Sequence, residues 1–110
     1  FMRRFDESFQ EAKKMIEVGE IGEVVSVKSH TRGPSKPKEW MYDISISNGP
    51  LGEVCSHDID TVRWFSGSEI SSLYAIGGNY RNKEIAEKYP DFYDNVIMSV
   101  EFENGMQGVV

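Results

Sequence analysis

Between Gly52 and Gly67 the sequence reads GEVCSHDIDTVRWFSG, and within it Glu53, His57, Asp60 and Trp64 follow one another in steps of four, three and four. On an α-helix those steps stack side chains on one another, so an acid, an imidazole, a second acid and an indole form a single stripe. Histidine titrates near neutrality, and a carboxylate one turn away fixes its tautomer and stabilises its charged form. That combination suits general acid–base work. The same E-x-x-x-H-x-x-D spacing is also the pattern of a solvated helix face, and the residues alone leave both readings open. Glu53, His57 and Asp60 offer nitrogen and oxygen ligands to a cation. With no second histidine nearby, no metal site is expected.

The helix that carries this stripe is expected to begin near Leu51, with Leu51, Val54, Cys55, Asp58, Ile59, Val62 and Phe65 on its other side, six of them able to be buried. Other candidates for chemistry are weaker. Arg3 and Arg4 can hold a phosphate or carboxylate in bidentate fashion, although arginines near a chain end more often only keep it soluble. His30 and Arg32 read as the exposed side of a strand, and Trp64 as a partly buried anchor. Gly77-Gly78 lacks the following helix and the spacing of a phosphate cradle, and no nucleophile elbow is present.

The elements that must position these residues can be placed in order. Asp6 caps a first helix running to about Val18, with Phe9, Ala12, Ile16 and Met15 as its buried stripe and Gly19 beyond its end. Glu23–Arg32 alternates as a half-buried strand, with Val25 and Val27 on one face. Gly33-Pro34-Ser35-Lys36-Pro37-Lys38 forbids helix and central strand, and the loop it opens is expected to reach Asn48-Gly49-Pro50. Glu69–Gly78 is apolar on both faces, which places it inside a sheet. Lys83–Tyr89 is a candidate helical turn. Tyr93–Phe102 alternates with Val96, Met98, Val100 and Phe102 on one face, and Asn104-Gly105 signals a type I′ hairpin that pairs Met106–Val110 antiparallel with it. Two helices on one face of an open, mixed, largely antiparallel sheet make an α+β domain whose other face is free for solvent or a partner.

Composition excludes several functions. A chain of 110 residues, 39% hydrophobic and 27% charged, fits one globular domain. Its net charge of −6 argues against nucleic acid or an anionic membrane surface as partner. The single cysteine, Cys55, leaves no disulfide within the chain and favours a reducing, cytoplasmic home. Charges in FMRRFDESF rule out a signal peptide at this end, and no run approaches the roughly 20 apolar residues of a membrane span. The chain starts on Phe and stops partway through an expected strand, as a piece of a longer protein would.

Three motifs carry a resemblance. M-R-R-F-D-x-S-F at 2–9, G-E-I-G-E-V at 19–24 and G-x-x-x-x-H-D-I-D-x-x-R-W-F-x-G at 52–67 resemble, in order and spacing, the C-terminal domain of the Gfo/Idh/MocA oxidoreductases. Within that family the chain is similar to the inositol 2-dehydrogenase-like members, closely from Phe1 to about Gly67 and in pattern beyond. The resemblance implies a glyceraldehyde-3-phosphate-dehydrogenase-like C-terminal domain, here incomplete over 1–110. Its partner in a two-domain enzyme would be a Rossmann domain that holds NAD or NADP.

It also implies roles. The family site combines a lysine of the cofactor domain with an aspartate and a histidine four residues apart; His57 matches the histidine, and Glu53 stands where the family has aspartate. Asp60 matches a position in or beside the polyol site, and Arg3 one near the cofactor and substrate. Thr31 and Gly33 flank Arg32 where inositol-type members place polar contacts, so Thr31 and Arg32 become substrate-binding candidates. The substrate implied is a polyol or sugar related to inositol. The open sheet face implies a homo-oligomer. Without a glycine-rich loop and the family lysine, these residues alone are expected neither to bind NAD(P) tightly nor to turn over a polyol. The competing expectation is a parent that has lost catalysis and serves as a ligand-binding or oligomerisation module, favoured by glutamate in the aspartate position.

Overall fold

A computed structural model describes residues 1–33 and 36–110; Pro34 and Ser35, within the expected Gly33–Lys38 loop, lie outside the described residues. A 3₁₀ turn at Met2–Phe5 leads into helix α1 (Glu7–Glu17), followed by strand β1 (Ser26–Lys28) and a second 3₁₀ turn at Glu39–Tyr42. Three helices follow, α2 (Ile44–Ser47), α3 (Gly49–Glu53) and α4 (Ser56–Ser66), and then strands β2 (Ile70–Gly78), β3 (Asn95–Phe102) and β4 (Gln107–Val109). The strands form one sheet in the order β1-β4-β3-β2. β1 runs parallel to β4, and the other two pairings are antiparallel. This is the mixed, largely antiparallel α+β arrangement that the pattern predicts.

The core follows from the alternation in β3. Met98, Val100 and Phe102 are buried on one side, while Ile97, Ser99 and Glu101 face out on the other. Val62 of α4, Val27 of β1 and Val110 complete the cluster, with Val62 and Phe102 fully enclosed. Asp6 caps α1 as its position predicts, its carboxylate accepting from the N–H groups of Ser8 at 3.0 Å and Phe9 at 3.4 Å. The Phe9 ring then packs 6.1 Å from that of Phe65 and ties α1 to α4.

Four local expectations need correction. The strand over Glu23–Arg32 shrinks to three residues, because β4 offers only Gln107–Val109 as a ladder. Val27 is buried there, whereas Val25 is 72% exposed. β2 is not inside the sheet but at its edge and exposed along most of its length. α4 packs over β1, and Leu73 and Ala75, which share a face with Val100 and Met98, are exposed. The hairpin at Asn104-Gly105 exists, but only Gly105 has positive φ, at 84°. Gly105 N–H donates to Phe102 C=O at 2.9 Å around Glu103 and Asn104, which is a type I turn followed by a left-handed glycine rather than type I′.

The expected long loop contains the second 3₁₀ turn and α2, and α3 begins at its end. Tyr42 anchors it, buried edge-on against Phe92 at 5.0 Å and 5.8 Å from Tyr89. Lys88 Nζ reaches Glu39 at 2.6 Å across the same contact. A 3₁₀ turn at Lys83–Ile85 falls where the helical turn is expected.

Candidate active site

The stripe that the spacing places on one helix is divided between two. Asn48 adopts a left-handed conformation, φ 58°, and Pro50 starts α3. Its carbonyl then accepts from both Val54 N–H at 3.0 Å and Cys55 N–H at 2.9 Å. The second bond spans five residues, so the helical ladder slips by one and restarts at Ser56. A continuous helix from Leu51 is therefore corrected to α3 and α4. Glu53 ends α3, exposed, and among the described residues its carboxylate makes no hydrogen bond to His57.

His57 lies half-buried in the first turn of α4. Its Nδ1 is enclosed without a hydrogen-bond partner among the described residues, and the Phe1 ring meets the imidazole edge-on with centroids 5.9 Å apart. Both acids that follow it are engaged. The Asp60 carboxylate, 3% exposed, receives Arg4 Nε at 2.9 Å and Arg4 Nη2 at 2.7 Å. Arg4 also lies over the Trp64 ring at 5.7 Å. The turn Met2–Phe5 thus covers the face of α4 that the spacing leaves wet, and the Arg4 hydrogen bonds hold the Asp60 carboxyl below the usual carboxylate range.

Asp58 is fully buried, and its Oδ1 accepts from Arg3 Nη1 at 2.8 Å and from Ser29 Oγ. Arg3 Nη1 also donates to Thr61 Oγ1 at 3.4 Å and Ser29 Oγ at 3.3 Å, and Nη2 donates to Thr31 Oγ1 at 3.0 Å. Burial pushes the Asp58 carboxyl up, but hydrogen bonds from Ser29, Thr31 and Arg3 outweigh it and leave the group below its ordinary value. Three elements, the first turn, the end of β1 and α4, meet at this one carboxylate.

The structure therefore brings Arg3 and Thr31 together around Asp58, and gives Asp60 to Arg4. Arg32 is exposed and donates Nε to His30 Nε2 at 2.9 Å, apart from that network. Sequence reasoning missed Asp58, Ser29 and Thr61 as partners. The available signal was charge complementarity: two adjacent arginines and a D-x-D pair, with a carboxylate already named as a ligand an arginine here can hold.

A dinucleotide needs a glycine turn whose free N–H groups meet phosphate. The N–H groups of Tyr80, Arg81 and Asn82, just after Gly77-Gly78, instead point at Asp94, donating at 3.0, 2.7 and 3.2 Å. The chain's own carboxylate fills that cradle, so these residues do not fit a pyrophosphate. A cleft of about 350 Å³ lies beside α4, lined by Phe1, Leu51, Ile59 and Arg63 among others. Its surface is mostly apolar; Ser56 and Asp60 also line it, and His57 does not. Among the described residues no three His, Cys, Asp or Glu side chains gather as a metal site, and no helix is long and apolar enough to cross a membrane.

Residues 9–110 match the GFO/IDH/MocA C-terminal domain. Over all 110 residues the chain is 36% identical to a scyllo-inositol 2-dehydrogenase (NAD(+)) of Bacillus subtilis, and it spans 31% of that protein. It is 31% identical to a myo-inositol 2-dehydrogenase of Thermotoga maritima, of which it spans 32%. Among solved structures, a putative myo-inositol dehydrogenase from Sinorhizobium meliloti superposes with TM-score 0.81 at 31% identity, over 97% of this chain and 31% of that one. A scyllo-inositol dehydrogenase from Lactobacillus casei, with bound NAD(H) and scyllo-inositol, superposes with TM-score 0.78 at 28% identity, over 98% of this chain and 32% of that one. The chain spans about a third of the length of these relatives. It belongs to the Gfo/Idh/MocA family, whose C-terminal domain it carries.

Proposed function

We propose that the chain is the substrate-binding part of an NAD(P)-dependent oxidoreductase that oxidises a hydroxyl of a polyol or sugar. The observation that carries this reading is the state of His57. In H-D-I-D each carboxylate is bonded by an arginine, Asp58 through Oδ1 by Arg3 and Asp60 by Arg4, while His57 Nδ1, on the first turn of α4, and Asp58 Oδ2 have no hydrogen-bond partner among the described residues. A neutral imidazole is the group best suited at neutral pH to take the proton of a hydroxyl as its carbon is oxidised.

The cofactor is NAD or NADP, held mainly by residues outside this chain, since the one glycine-pair cradle is filled by Asp94. When bound it supplies a hydride acceptor. The proton chemistry falls to His57, with Glu53 on the neighbouring helix as its acidic partner once substrate bridges them. Asp60, Thr31 and Arg32 are the substrate-binding candidates of the proposal; Arg32 is exposed, while Thr31 accepts from Arg3 and Asp60 is held by Arg4. Arg3 is the cofactor-binding candidate of the proposal, and its guanidinium is turned onto Asp58. Relatives named for myo- and scyllo-inositol support a polyol substrate. The open sheet face, with Tyr74, Ile76 and Ile97 exposed, supports a homo-oligomer, and the low cysteine content a cytoplasmic setting.

The second reading is a ligand-binding or oligomerisation module without catalysis, favoured by the lack of a hydrogen bond between Glu53 and His57. In the full-length protein, His57→Ala is expected to lower kcat by roughly 10²–10⁴ at saturating polyol and cofactor. An unchanged rate rejects His57 as the proton acceptor. A wild-type protein that binds polyol but turns over none with either cofactor favours the module.

A further inference from the structure

We propose that Thr61, with Arg3, is a positioning residue for His57, an inference that rests on the reading just given. No hydrogen bond holds the imidazole at Nδ1. Its direction is therefore set by packing against Phe1 and by the backbone from which it projects. That backbone is fixed from both sides by one arginine. Thr61 Oγ1 donates to the His57 carbonyl at 2.7 Å, and Arg3 Nη1 donates in turn to Thr61 Oγ1 at 3.4 Å. On the next residue, Asp58 is pinned by the same Nη1 at 2.8 Å. A threonine bonded back to the carbonyl four residues earlier tilts that carbonyl and bends the helix locally. Here that hydrogen bond spans the first turn of α4, directly after the slip at Val54-Cys55 where the regular helical ladder restarts.

Thr61 is buried and touches no solvent-facing chemistry of its own, so its hydroxyl has no other evident use. Arg3 supplies direction as well as charge. Its Nη1 fork serves Asp58 and Thr61 together, which a lysine ammonium at the end of a flexible stem cannot hold in the same geometry. The result is a relay of hydrogen bonds from the first turn of the chain to the backbone of the proton acceptor.

The test uses the full-length enzyme with polyol and NAD(P), and compares His57→Ala, Thr61→Val, Thr61→Ser and Arg3→Lys. Thr61→Val removes the hydroxyl at nearly constant volume. It is expected to lower kcat about tenfold to a hundredfold, the scale of misplacing a reacting group by about 1 Å, while the KM for cofactor stays within about twofold of wild type. Thr61→Ser restores the donor and is expected to return kcat to near the wild-type value. Arg3→Lys, partly solvent-exposed and still charged, is expected to lower kcat in the same sense and keeps the proposal testable if Thr61→Val does not fold. Wild-type kcat in both Thr61→Val and Arg3→Lys overturns it, as does a Thr61→Val loss that serine fails to rescue. If His57→Ala itself keeps full activity, the functional reading has failed instead. An inactive His57→Ala beside fully active Thr61→Val and Arg3→Lys removes only the positioning role.

Discussion

The Arg4 guanidinium grips the Asp60 carboxylate through two hydrogen bonds, 2.9 and 2.7 Å, and so closes the first turn of the chain over the middle of α4. Arg4→Met leaves Asp60 buried without its partner, and a carboxylate stranded in that way costs more than the pair contributes. The melting temperature is expected to fall by more than an ordinary surface substitution allows. Adding Asp60→Asn to Arg4→Met is expected to recover part of the loss, and a purely additive double mutant would contradict the coupling.

Acid is expected to loosen the fold at three aspartates. Arg4 hydrogen bonds lower the Asp60 carboxyl. Burial alone would raise Asp58 and Asp94, yet Ser29, Thr31 and Arg3 around the first, and the N–H groups of Tyr80, Arg81 and Asn82 around the second, bring both below the ordinary value. A group depressed in the folded state contributes stability that is complete above its unfolded pKa, about 3.9 for aspartate, and is lost as pH falls through the folded value. Melting temperatures should be flat near neutrality and drop below about pH 4. Asp94→Asn should be less stable at pH 7 and show a shallower acid decline.

Gly49 is expected to tolerate no side chain. Its φ is 65°, and a Cβ there would meet Tyr93 Oη at 2.6 Å and Cζ at 2.8 Å. Gly49→Ala combines backbone strain with a clash, and about 1–3 kcal/mol of unfolding free energy should be lost in denaturant titration. A loss under half of that would mean the tyrosine moves freely aside.

The two faces of β3 should respond oppositely. Phe102, 1% exposed, fills the centre of the core, and Phe102→Ala is expected to cost about 3–5 kcal/mol. Ile97, 52% exposed on the open face, should matter little to folding and much to association. In the full-length protein Ile97→Lys is expected to shift sedimentation toward smaller species. An unaltered oligomer would place the interface elsewhere.

Much of this architecture was legible in the residues because it depends on short-range rules. The cap at Asp6 and the period-two run of Val96, Met98, Val100 and Phe102 are decided within a few positions, and the structure reproduces both. What was not legible depends on who stands opposite. β2 is apolar on both faces like an interior strand, yet among the described residues it pairs only with β3 and lies at the edge, a position its own pattern does not specify. The slip at Pro50 turns every later residue by about 100° relative to an unbroken helix, and nothing in the spacing of Glu53 and His57 marks where that turn occurs. The site divided the same way. His57 stands out by type and spacing alone, while Asp58 was overlooked because its partners, Arg3 and Ser29, lie 55 and 29 residues away in the chain.

The exposed edge of β2 carries a consequence for handling the protein. Leu73, Tyr74 and Ile76 stand open beside a row of backbone groups that no neighbouring strand pairs among the described residues. Such an edge is a template on which another extended chain can lay itself down. Produced by itself, this domain should therefore grow by strand addition into soluble aggregates or fibrils, and its concentration limit in solution will be set by that edge before it is set by the stability of the core.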